Sequence, residues 1–262
     1  MSGKEFAEAL SWQASKVSRL ENGRQNPSEQ DIHSWTKATG SEAEAANLVA
    51  SLHTMEFRHA EWQRELRAGL KRLQSEAAED SSRTRFFRVF ESTYVPGLLQ
   101  TAGYARSRVD QTIKEFDLRD NPEEAVLARL QRQDILYQPE KRFHFVLTEA
   151  VLRYRLCPPE VMLAQLDRLI SLATLPTVKL GIIGFDTPYV IAPAHGFWLL
   201  DEDRVSIETF SAELNLAQPQ EVELYGKVFA ELAAVASYGR AARAIITSVI
   251  DDLAAQVSSG TE

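Results

Sequence analysis

Apolar positions near the N-terminus recur in short groups separated by turn-forming residues. Phe6, Ala7 and Leu10 make one apolar face, Val17 and Leu20 a second, and Ile32, Trp35 and Ala38 a third. Three- and four-residue spacing is the mark of amphipathic helix. Ser2 with Glu5, and Ser28 with Asp31, stand at capping-box spacing, and Gly23 and Gly40 follow the second and third groups as natural left-handed terminators. The pattern predicts three helices over residues 1–40, with residues 11–13 as a tight turn between the first two.

A longer seam follows. Leu48, Leu52, Met55, His59, Trp62, Leu66, Leu70 and Leu73 are spaced three or four apart, close to a 3.5-residue period, with Arg and Glu on the flanks. This predicts an amphipathic helical connector over 41–82 that packs on a neighbouring domain or on a second subunit. The polar run Glu79-Asp80-Ser81-Ser82 predicts a hinge at its end.

Beyond residue 83 the periodicity alternates between two and 3.6. Strands are predicted at 86–91, 142–148, 178–185, 196–200 and 205–210, and helices at 98–109, 122–137, 159–173, 220–236 and 240–255. The expected class is α+β: an all-helical segment over 1–40, the connector over 41–82, and a mixed domain with a mainly antiparallel sheet over 83–256.

Composition narrows the function. Of 262 residues, 44% are hydrophobic and 25% charged, which is globular rather than disordered. A net charge of −8 excludes a strongly basic nucleic-acid coat but leaves room for a small local DNA-reading face. One cysteine, Cys157, can form neither an internal disulfide nor a thiolate cluster, so a reduced, cytoplasmic protein is expected. The first ten residues have no signal-peptide pattern, and no apolar run approaches the ~20 residues that span a bilayer. A soluble protein without a membrane partner follows as an expectation.

The residues SGKEFAEALSWQASKVSRLENGRQNPS closely resemble the Xre (Cro/CI-like) helix-turn-helix family. The resemblance implies a positioning helix over 4–10, a turn over 11–13 and a recognition helix over 14–22. Such a helix buries Val17 and Leu20 and turns Gln13, Ala14, Ser15, Lys16 and Arg19 toward a major groove, with Arg24 near the backbone. Two features depart from the family. Its members carry a further helix before the positioning helix, so a truncated domain, or a start other than Met1, is expected. Residues 1–40 also balance Lys4, Lys16, Arg19, Arg24 and Lys37 against Glu5, Glu8, Glu21, Glu29 and Asp31, which weakens the salt-dependent phosphate attraction.

The pieces FESTYVPGLLQTAGYA, ARLQRQDILY, FHFVLTEAVLRYR, HGFWLLD, IETFSAELNL and YGKVFAELAAVASYG resemble the large C-terminal domain of a broad actinobacterial regulator family. That likeness implies a sensing or partner-binding domain, sometimes paired with a small partner protein. No nucleophile elbow, zinc-protease, Walker or dinucleotide motif occurs, and the five histidines lack metal-ligand spacing. No metal and no cofactor are implied. Polar residues set in apolar surroundings remain: Glu91, Tyr94, Glu149, His195, Trp198, Glu208 and Glu213. Were they to converge, a carboxylate with His195 could do acid–base work on a small molecule. Each also has a structural reading, such as Glu149 complementing a helix N-terminus.

Two functions are therefore open. The first is a dimeric transcription regulator with a DNA operator and a small-molecule effector or small protein partner. The alternative is a regulator-derived protein that has lost DNA binding and acts as a small-molecule binder or an acid–base hydrolase or cyclase in a biosynthetic pathway.

Overall fold

The structure is a computed structural model describing residues 3–22, 25, 27–49, 69–210 and 212–259. Most of the predicted seam, from Leu52 to Leu66, and also Ser2, Gly23 and Arg24, lie outside these residues. The chain divides into two units, residues 1–62 and 63–262.

The first unit begins with α1 (Gly3–Ala9), α2 (Ala14–Glu21) and α3 (Glu29–Thr39). Phe6, Ala7 and Val17 are buried, with Leu10, Trp12, Trp35 and Ala38 packed around them. Phe6 meets Trp35 edge-on with ring centroids 4.5 Å apart. The turn after α1 closes when the Trp12 amide bonds the Ala7 carbonyl at 2.8 Å, with Ser11 in left-handed backbone. The expected capping box at Ser28 and Asp31 is formed, and Gly40 ends α3 in the left-handed conformation.

The second unit is α+β, with one seven-stranded sheet. Helix α4 (Leu70–Arg83) leads to β1 (Phe86–Glu91), and α5 (Ala102–Glu115) and α6 (Pro122–Arg132) cross to β2 (Arg142–Thr148). After α7 (Glu149–Arg153) and α8 (Pro159–Leu172) come β3 (Val178–Ile183), β4 (Phe197–Leu200), β5 (Arg204–Glu208) and β6 (Glu213–Leu216). Helix α9 (Pro219–Val235), β7 (Ser237–Tyr238) and α10 (Arg240–Ser259) complete it. The strand order is β6-β5-β4-β1-β2-β3-β7. β1, β2 and β3 run parallel and the other four neighbour pairs are antiparallel, so the sheet is mixed and mostly antiparallel.

Strand alternation splits the core in two. Phe87, Val89, Phe143, Phe145, Leu147, Leu180 and Ile182 face helices α8 and α10. Phe90, Val146, Phe197, Leu199, Val205 and Ile207 face α9 through Val222, Phe229 and Leu232. On the first of these faces the β4–β6 half is different. There the alternation and register put Trp198 opposite Ser206, Ser206 opposite Asn215, and Glu208 opposite Glu213, a polar extension of an apolar surface.

The expected hinge at 79–82 is corrected: these residues form the last turn of α4. The helix persists because its end is capped from a distance. Lys141 is 3% exposed and its ammonium donates to the carbonyls of Ser81 (2.9 Å), Ser82 (2.9 Å) and Thr84 (2.6 Å). A cation at a helix C-terminus also complements the helix dipole. The prediction over 122–137 is likewise refined, because the α-helix gives way at Gln133 to a tighter 3-10 turn through Tyr137. Strands β6 and β7 were not expected.

Candidate functional site

Two regions carry candidate chemistry. In the first unit, α2 buries Val17 and leaves Gln13, Ala14, Ser15 and Arg19 exposed. Arg19 Nε donates to Gln25 Oε1 at 3.0 Å. Lys16 is less free. Its ammonium contacts Asp31 Oδ1 at 2.6 Å and lies 4.2 Å from the centroid of a Trp12 ring. Burial raises the Asp31 pKa, but the Lys16 ammonium and the Ser28 groups outweigh it and hold that carboxyl below its ordinary range. Lys16 thus braces α2 against the start of α3.

In the second unit the polar residues gather where β1 ends. That position is the carboxyl end of a strand flanked by β2, which is parallel to it, and β4, which is antiparallel. Glu91 is the last residue of β1 and is 4% exposed. Its Oε1 accepts from the Trp198 indole N–H at 3.2 Å. Burial pushes its pKa up to about 8 against the opposing Trp198 bond, and nearby Glu208 adds to the rise while Arg108 resists it. Burial thus favours its neutral acid form, which can donate as well as accept.

Tyr94, in the loop after β1, donates from its hydroxyl to Glu208 Oε2 at 3.0 Å. Burial raises its pKa, and Glu208 and Glu91 raise it further. The Arg108 guanidinium from α5 sits 4.9 Å from the Tyr94 ring centroid. Glu213 Oε1 accepts from the Ser206 hydroxyl at 2.7 Å. From α6, Arg129 donates to Gln100 Oε1 at 3.0 Å, and Arg132 lies 6.0 Å from the centroid of a Trp198 ring. Burial lowers both arginine pKa values, that of Arg132 to about 10, with Arg129 contributing to the Arg132 shift.

Five of the seven expected residues thus come together: Glu91, Tyr94, Trp198, Glu208 and Glu213. Glu149 does not join them; it pairs with Arg153 at 2.6 Å and accepts from the Phe185 amide at 3.0 Å. His195 stands apart too, bonded to the Tyr225 hydroxyl of α9 at 2.9 Å and packed on Phe197, which faces the opposite side of the sheet. Sequence reasoning missed Arg108, Arg129 and Arg132. Two arginines three apart near a helix end read as ordinary solvated residues, and only the tertiary fold turns them onto the sheet.

Gly196 fits this site closely. A Cβ there would overlap Glu91 Oε2 and stand 2.9 Å from Glu91 Cδ. Gly196→Ala is expected to displace the Glu91 carboxyl and break its bond to Trp198, at a cost of about 1–3 kcal/mol. A shifted tryptophan emission maximum with a lowered Tm would show it; an unchanged spectrum and Tm would contradict it.

A family model described as a domain of unknown function, DUF5753, matches residues 74–248. The chain belongs to this family. The DUF5753 domain contains every residue of the β1-end cluster. A second model, a helix-turn-helix domain, matches residues 1–48, so the first unit is of the class through which regulators bind DNA. No curated protein matches the chain. A phospholipase D family member, Nuc from Salmonella typhimurium, matches as a solved structure at 11% identity with a TM-score of 0.34, covering 62% of this chain and 86% of that one. Likeness at that level carries no inference for the DUF5753 domain. Among the described residues no helix is long and apolar enough to cross a membrane.

Proposed function

We propose that this protein is an Xre-type transcription regulator whose α2 reads an operator and whose DUF5753 domain senses a small molecule. The carrying observation is the helix-turn-helix match together with the exposed residues Ala14, Ser15 and Arg19 on α2 and Gln13 at its N-cap. Gln13 suits adenine or a phosphate, and Arg19 suits a guanine edge or a phosphate. Lys16 contributes to phosphate binding only when it exchanges its pairing with Asp31. Arg24, outside the described residues, completes the proposed contacts. The protein acts as a homodimer in this reading, with two recognition helices about one DNA turn, ~34 Å, apart. A small protein partner at the DUF5753 domain is the variant of this reading in which the effector is a macromolecule.

The test is a binding titration on the DNA upstream of the protein's own gene, against random DNA of equal length, at several salt concentrations. Specific binding that weakens as salt rises supports the reading. Equal affinity for both DNAs overturns it. Arg19→Ala is expected to lower specific affinity by about 10-fold or more with the Tm unchanged. If Arg19→Ala binds the operator as tightly as wild type, α2 is not the reading element.

A further inference from the structure

The β1-end cluster holds guanidinium nitrogens that no acceptor within it meets. Arg132 has no hydrogen bond and no ion pair among the described residues, and its Nε is buried without a partner. Arg129 spends one nitrogen on Gln100, and its Nε is also buried and unpaired. Both residues are half-buried. The nearby acids reach these arginines through their charge, Glu208 both of them and Glu213 Arg132, while their hydrogen bonds go elsewhere. Glu208 takes the Tyr94 hydroxyl and Glu213 takes the Ser206 hydroxyl. Burial pushes the Glu91 carboxyl toward its neutral form. Arg108, Arg129 and Arg132 bring three guanidinium groups to this end of β1. Arginine does not shed its proton under these conditions, and a buried polar group without a partner is uncommon enough to require a reason.

We infer that this face binds a small organic oxyanion, a phosphate or carboxylate, through Arg129 and Arg132. The Trp198 indole, already beside Arg132, is placed to flank a planar portion of the ligand. The Ser206 and Asn215 side of the sheet offers partners for its hydroxyl or amino groups. Planar guanidinium forks suit phosphate and carboxylate oxygens in paired geometry, which a lysine at the same place would not. The inference rests on the reading of the DUF5753 domain as a small-molecule sensor and names the chemistry of that molecule.

The test compares melting of the full-length wild type with Arg132→Met in sodium chloride, inorganic phosphate and citrate at matched ionic strength and pH 7. In chloride the variant is expected to melt higher by ~3 °C or more, because it removes an unpaired buried charge. Phosphate or citrate is expected to stabilise the wild type selectively and close that gap. General salting-in or salting-out effects act on both proteins alike and cancel in the comparison. The anion that closes the gap identifies the charged group. Arg132→Gln repeats the comparison should the methionine variant fail to fold. A gap that neither anion changes overturns the inference. The DNA titration leaves these curves untouched, so a failed operator and a failed anion site are separate results.

Discussion

Glu91→Gln is expected to be more stable than wild type at pH 8.5 and nearly equal to it at pH 4. The cause is a proton retained on folding. The folded carboxyl titrates near pH 8, raised chiefly by burial, whereas an ordinary carboxyl titrates near 4.5. Between those values the unfolded chain has released the proton and the folded chain has not. Wild-type stability therefore falls as pH rises through this window and levels off above it, by on the order of 4 kcal/mol. Glutamine keeps an oxygen for the Trp198 indole and carries no charge at any pH, so its curve lacks this descent. Parallel stability-against-pH curves for the two proteins would show that Glu91 is ionised in the native state. The experiment also bears on function, since a neutral acid beside arginines is a hydrogen-bond donor and an ionised one would be their counter-ion.

Lys141→Ala is expected to destabilise the DUF5753 domain by roughly 3–5 kcal/mol. Each bond from an ammonium to a carbonyl is stronger than a neutral one, and the loss leaves acceptors stranded where Ser81 and Thr84 are themselves buried. Lys141→Met separates the contributions, since it keeps the aliphatic stem and removes only the ammonium. It should recover little of the lost stability. Protease cleavage near residues 79–84 at temperatures well below the global transition would confirm that α4 has come loose. A loss below ~1 kcal/mol in both variants would mean that packing, not the ammonium, holds the helix end.

The sequence was most legible where one side chain pattern had one cause. β1 and β2 lie where alternation placed them, because Phe87, Val89, Phe143 and Phe145 enter a helix-covered core. β6 escaped notice for the opposite reason. Its Glu213 and Asn215 occupy the sheet face that the site keeps polar, so the four-residue segment lacks a clear apolar signal. The end of α4 read as a hinge because its stabilising cation is some sixty residues away in the chain. Within the site, Glu91, Tyr94 and Trp198 stood out as polar groups among apolar neighbours, whereas Arg129 and Arg132 acquire meaning only from what α6 overlooks. His195 does not join the cluster, because a one-residue step along β4 sends Phe197, on which it packs, to one face and Trp198 to the other.

The position of β1 in the middle of the sheet sets the order in which the molecule can be assembled. One edge of β1 pairs with β2, about fifty residues later, but the other waits for β4, with Phe90 meeting Phe197. At translation speeds of about 5–20 residues per second, that edge stays open for roughly 5–20 s during synthesis on the ribosome. The open edge belongs to the apolar sequence Phe86–Glu91. A nascent chain with such an edge can pair with another copy of itself before β4 arrives. Slow refolding and a yield that falls with protein concentration are thus built into the topology that creates the site, because the strand that carries Glu91 waits longest for its second partner.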